Sequence, residues 1–125
     1  MKKLLFLCVA LLFVSCQSNR QPEPRIVHVV LTWLNEPTNE KHRNMVIKAS
    51  EEFLKIPGVL DVGVGRPLMS DRDIVDDSFD VGIFLTFKTE EDLQAYIDHP
   101  DHQATVKLIL KPLVKKIKVY DIVDL

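Results

Sequence analysis

The chain has 125 residues, 46% of them hydrophobic, 27% charged and 7% aromatic. That is enough for one domain and excludes a large multidomain enzyme. The apolar residues are unevenly placed. Leu4 to Val14 form an unbroken apolar run that follows Lys2 and Lys3 and stops at Ser15-Cys16. A basic start, a short apolar stretch and a small residue are the marks of a secretory signal, and the run is too short to span a bilayer.

Phe13-Val14-Ser15-Cys16 resembles a bacterial lipobox, in which the signal is cut before a cysteine that then carries lipid. Phe13 stands where that pattern usually has leucine, and an ordinary secretory signal is the alternative. Residues 1–15 are expected to be a lipoprotein signal peptide, and Cys16 the lipidated residue. Cys8 falls in the discarded part, so Cys16 is the one cysteine left and no internal disulfide can form. The expectation is a protein of the cell envelope, anchored to a membrane by lipid and facing the periplasm or the outside.

Lys2 and Lys3 leave with the signal, so 14 basic residues face 18 acidic ones, a formal charge of −4. Such a chain is a poor partner for nucleic acid. Residues 16–25, with Pro22 and Pro24 and little that is apolar, read as a tether. The folded domain is expected over 26–125.

Ile26 to Leu34 is β-branched and aromatic, a strand with Val27, Val29, Leu31 and Trp33 on one face and Ile26, His28, Val30 and Thr32 on the other. Both faces are mostly apolar. From Thr38 to Leu54, Met45, Val46, Ala49, Phe53 and Leu54 recur at helical spacing, and Pro57-Gly58 ends the segment. Val59, Val62 and Val64 continue as a strand, followed by a polar loop to Ser78 and a third strand from Val81 to Phe87. Thr89-Glu90-Glu91-Asp92 fits a capping box opening a second helix, which Pro100 interrupts. The helical pattern resumes to Pro112, and Ile117 to Ile122 gives a last strand. The order β-α-β-β-α-β predicts an α+β, ferredoxin-like fold, with two helices on one face of a four-stranded antiparallel sheet. The other apolar face then needs a cover, and a second copy packed sheet to sheet, as an isologous homodimer, would supply it.

Three histidines bear on chemistry: His28, and His99 and His102 around Pro100 in Tyr96-Ile97-Asp98-His99-Pro100-Asp101-His102. In an unbroken helix Tyr96 and His102 lie six residues apart and face about 120° away from each other. The residue before a proline is pushed out of the α region, so a break at Asp98-His99 would let a new helix start at Pro100 and turn His102 back.

Ile26-Val27-His28-Val29-Val30, Ile56-Pro57-Gly58-Val59, Gly65-Arg66, Leu85-Thr86-Phe87, and Leu93-Gln94-Ala95-Tyr96 leading into the His-Pro-Asp-His stretch together resemble the stress-responsive A/B barrel, or Dabb, domain. The resemblance covers Ile26 to about Ile122. It implies a dimeric α+β barrel, and roles that range from stress-linked plant proteins to cyclases closing polyketides with a tyrosine and a histidine. Carried to this chain, that pair is Tyr96 and His102, with His28 and His99 as binding residues of the pocket. His102 would be the base and Tyr96 the hydrogen-bond donor to an enolate oxygen. The competing reading is a module that binds a small, partly apolar molecule between sheet and helices without turnover, Tyr96 and the histidines serving as core and capping residues. Trp33, Phe84 and Leu93 filling the pocket would favour the module.

No cofactor is called for, and no metal site. His99 and His102 are three apart, with His28 and Tyr96 as further donors, but supporting carboxylates or cysteines at metal spacing are missing. Asp71, Asp73, Asp76 and Asp77 lack the Gly and Glu of a calcium loop, Gly63-Val64-Gly65 lacks the rest of a dinucleotide fingerprint, and no serine sits in a nucleophile elbow. The loop from Leu68 to Ser78 is long enough to gate a pocket.

Overall fold

A computed structural model describes residues Glu23–Leu125. The signal segment, Cys16 and the tether as far as Pro22 lie outside the described residues. The elements are β1 (Arg25–Leu34), α1 (Glu40–Glu51, continued by a 3-10 turn, Glu52–Lys55), β2 (Val59–Gly65), β3 (Val81–Phe87), α2 (Glu90–Asp98), α3 (Pro100–Thr105) and β4 (Val114–Asp124). Between α3 and β4 lie a π-helical stretch, Val106–Leu110, and a last turn, Lys111–Leu113. The four strands form one antiparallel sheet in the order β2-β3-β1-β4, the ferredoxin-like arrangement.

Strand alternation decides the faces. Ile26, His28, Val30, Thr32 and Leu34 of β1 are buried, as are Val81, Ile83, Leu85 and Phe87 of β3. They form the inner face, under the helices, with Val46, Phe53, Leu93, Tyr96 and Leu110 packed on them. The outer face carries Val27, Val29, Leu31 and Trp33 of β1, paired with Phe84 of β3 and Tyr120 and Ile122 of β4. Phe84, Tyr120 and Ile122 are each about half exposed. Trp33 and Phe84 therefore stand on the opposite side of the sheet from the helices and fill no space beneath them.

Local rules place the helices. Asn39, one residue after the expected start, caps α1 by accepting from His42 N–H at 3.1 Å. After the 3-10 turn Gly58 takes φ +90°, a left-handed value that glycine adopts without strain. Thr89 caps α2, its hydroxyl accepting from Asp92 N–H at 3.1 Å. The second apolar run is not one helix. It breaks at His99 and again loosens at Val106–Leu110, where Lys111 N–H donates to Val106, five residues back. Within this run Leu108 is turned to solvent and Leu110 is buried.

The loop from Arg66 to Asp80 ends in a buried anchor. Asp80 accepts from Leu34 N–H at 2.8 Å and from Arg43 Nη2 at 3.3 Å, and its own N–H donates to Thr32 O at 2.8 Å. The aspartates that superficially suggest calcium serve the loop itself: Asp77 accepts from Ser70 N–H, and Asp76 from the Ser78 N–H and hydroxyl. Asp80→Ala strips a buried N–H of its acceptor and a mostly buried guanidinium of one of its three, Glu40 and the Pro37 carbonyl being the others. It is expected to cost about 2–4 kcal/mol in urea denaturation. Asp80→Asn keeps an acceptor for Leu34 and is expected to cost less than half as much.

Candidate functional site

Pro100 divides the helical run as its chemistry requires. His99, the residue before it, is extended at φ −65° and ψ 136°, and Pro100 occupies the first turn of α3. In a continuous helix Asp101 N–H would donate to the carbonyl of Ile97. Here Asp101 N–H goes instead to His99 Nδ1, at 3.2 Å. The Ile97 carbonyl, left without its helical donor, is taken by two side chains of the next helix, His102 Nδ1 at 2.9 Å and Gln103 Nε2 at 2.7 Å.

That capture brings Tyr96 and His102 together, their ring centroids 4.5 Å apart. It also assigns the imidazole's proton. A nitrogen that bonds a carbonyl must be a donor, so Nδ1 carries hydrogen and Nε2 keeps its lone pair. Burial is the largest influence on His102 and lowers its pKa from the ordinary 6.5; the neighbouring His28 and His99 act in the same direction, against the Ile97 bond. Burial alone pushes the Tyr96 phenol far above its ordinary 10, so it stays protonated. The pair is a neutral imidazole base beside a phenol donor.

His28 completes the group from the sheet. Its ring meets Tyr96 edge-on at 6.0 Å, and its Nδ1 lies 2.5 Å from Asp121 Oδ1. The register of β1 on β4 sets His28 directly opposite Asp121. A partner on the second helix would be the other natural place for this bond, but the adjacent edge strand supplies it. Tyr96 is further walled by Phe53 and Phe87, at 5.4 and 5.2 Å.

His28, Tyr96 and His102 line one cavity of about 190 Å³ between sheet and helices, otherwise walled by apolar side chains such as Val30, Leu85, Leu110 and Val119. An apolar cavity of about 150 Å³ accommodates benzene, so this one suits a ring with a short substituent rather than a drug-sized ligand. His99 is not among its lining residues: its ring nitrogen is occupied in capping α3. Leu93 borders a different hollow, beside α2. The loop from Leu68 to Ser78 does not gate this cavity either. It borders a separate cleft of about 420 Å³ with Arg43 and Arg66, which shares no lining residue with the cavity. Among the described residues no group of three or more His, Cys, Asp or Glu side chains is placed to hold a metal ion.

Asp121 and Gln103 are the participants that sequence reading passes over. Asp121 follows Ile117 and Val119 at alternate positions, a lone acid on an apolar row, and that irregularity is its only signal in the sequence.

Comparison with known proteins agrees with this architecture. No match is found among curated protein sequences. Among solved structures, a Dabb-family protein with a ferredoxin-like fold from Mesorhizobium loti is 25% identical, with a TM-score of 0.68 over 82% of this chain and 98% of its own. A hydroxynitrile lyase from Passiflora edulis gives a TM-score of 0.71 at 19% identity, covering 83% of this chain and 96% of its own. A dimeric ferredoxin-like protein from Thermobifida fusca gives 0.64 at 22%, covering 83% and 94%. The likenesses to the Passiflora and Thermobifida proteins are likenesses of fold. Residues 26–124 match the family described as Stress responsive A/B Barrel Domain, so nearly the whole described chain is a Dabb domain and the protein belongs to that family.

Proposed function

We propose that this is a membrane-anchored Dabb protein that binds a small, partly apolar molecule in the cavity shared by His28, Tyr96 and His102. The observation that carries the reading is the composition of that cavity: apolar walls with a phenol and two imidazoles as its polar groups. A pocket of this kind holds a ligand by its apolar body and orients it by few hydrogen bonds. The anchor would be lipid on Cys16, in the cell envelope. Cys16→Ser is expected to release the protein from the membrane fraction into the soluble one, and an unchanged partition would remove the lipid anchor.

The functional unit is proposed to be a homodimer joined through the outer sheet face. Val27, Val29, Phe84, Tyr120 and Ile122 make that face apolar across three strands, and a second copy would bury it. The Thermobifida protein of the same fold is described as dimeric, which agrees. Phe84→Asp, at the centre of the face, is expected to convert the dimer to a monomer in light scattering after gel filtration. A wild-type chain that is already monomeric at tens of micromolar would count against the dimer.

A second reading is favoured by the Tyr96–His102 geometry: a proton-transfer enzyme of the cyclase or isomerase kind. His102 Nε2 would remove a proton beside a carbonyl, and the Tyr96 hydroxyl would hold the developing enolate oxygen. The lyase of similar fold is a precedent for small-molecule chemistry on this architecture, and not for this substrate. Hydrogen–deuterium exchange at the methyl group of acetophenone in D₂O tests it. The protein is expected to accelerate exchange, with His102→Gln slowing it by about 10²-fold or more and Tyr96→Phe by a smaller factor. Because burial lowers the pKa of His102 from 6.5, the rate should rise with pH through a midpoint below 6.5 and then level off. The same shift makes the folded state lose stability as pH falls below about 6.5, where the unfolded chain binds the proton more readily. No acceleration by the wild-type protein would leave the binding reading alone.

A further inference from the structure

The proposed cavity opens along one row of side chains. On β4 the inner row is Ile117, Val119, Asp121 and Val123, set opposite Thr32, Val30, His28 and Ile26. The helices cover this row incompletely: Ile117 and Val119 are 45% and 46% exposed, and the Asp121 side chain is 52% exposed. Asp121 is the one charge on it. Beyond Asp121 the row borders a cleft of about 340 Å³ between α2 and β4, with Glu90, Leu93 and Gln94 on its other bank. Ile97 lines both hollows, and Asp121 of the cleft is bonded to His28 of the cavity. The cleft and the cavity are therefore neighbours, and a molecule reaching His102 along this row passes Asp121.

The charges along that approach have one sign. Apart from the histidines, Glu90 and Asp121 are the ionisable acids or bases lining the two hollows whose charge is set at neutral pH, and neither lining includes Lys or Arg. The lysines of β4 do not compensate: Lys116 and Lys118 pair with Trp33 and Leu31 on the outer row, Lys115 falls at the register shift near the start of the strand, and none of the three lines either hollow. The arginine-bearing cleft is a different hollow. Beside apolar walls the field of a carboxylate is screened less than in open water. A carboxylate or phosphate on a ligand would meet these two carboxylates and find no lysine or arginine. A carbonyl or hydroxyl would find a donor in Tyr96 and an acceptor in His102.

We propose that Asp121 and Glu90 act as a charge filter on this site, which therefore takes compact uncharged carbonyl or hydroxy compounds of about the size of a substituted ring and rejects carboxylates and phosphate-bearing carriers. The proposal rests on the reading of the cavity as a ligand site. Two probes of one shape, benzyl alcohol and benzoate, test it on the whole mature protein at pH 7, with binding followed by amide and histidine NMR shifts. Benzyl alcohol is expected to shift the resonances of Tyr96 and His102 and to bind at least about tenfold more tightly than benzoate. Asp121→Asn combined with Glu90→Gln should narrow that gap to within about threefold. Glu90→Gln alone, a change on the surface of α2 that leaves the His28 bond intact, should narrow it part of the way. Equal binding of the two probes by the wild-type protein, or a gap unmoved by both variants, overturns the filter and leaves the cavity reading standing. Failure of benzyl alcohol to shift either residue at millimolar concentration overturns the cavity reading itself.

Discussion

Proline lacks an N–H, and its ring keeps the preceding residue out of the α region. At Pro100 these two local facts organise the site. They end α2 at Asp98, two residues after Tyr96, and leave the Ile97 carbonyl without a backbone donor, so side chains from α3 supply it. His102 thereby gains both its position and its tautomer from a hydrogen bond whose first purpose is to close a helix end. The cavity wall, the pairing of imidazole with phenol and the neutrality of both follow from that one interruption.

The sheet imposes the second constraint. β1 lies between β3 and β4, and its two faces serve different ends. The inner face contributes His28 among core residues, while the outer face carries only packing surface. A strand that is apolar on both sides leaves its sheet unfinished until something covers the second side. His28 is also the point where the core meets the edge strand, since its bond to Asp121 joins a buried ring to a half-exposed carboxylate.

Much of this was legible in the residues. Alternation in Val81 to Phe87 separated buried from exposed positions correctly, and Thr89 with Asp92 marked the start of α2. The break at Pro100 followed from steric rules alone. What escaped were relations between distant segments. No local pattern tells that Asp121 lies opposite His28, because that depends on the register of two strands 93 residues apart. His99 looked like a pocket residue for its neighbours in sequence, but the nearest unpaired N–H, that of Asp101, claimed its ring. The apolar run after Pro100 read as a resumed helix, with nothing in its pattern to mark the π turn at Val106–Leu110, in which Leu108 is exposed and Leu110 lies in the core.

The π turn also ties chain length to cavity shape. A hydrogen bond spanning five residues instead of four accommodates one residue more than the α-helical path around it requires. Val106 and Leu110, its two ends, are both wall residues of the cavity. Loss or gain of a single residue here can be absorbed by the helix, because β4 is held in register by ten paired positions along β1 and Leu34 is fixed at its end. The wall would change and the sheet would not. Within this fold, then, the segment between α3 and β4 is where a lineage can reshape the cavity by insertion or deletion, while Tyr96, His28 and the sheet keep their places.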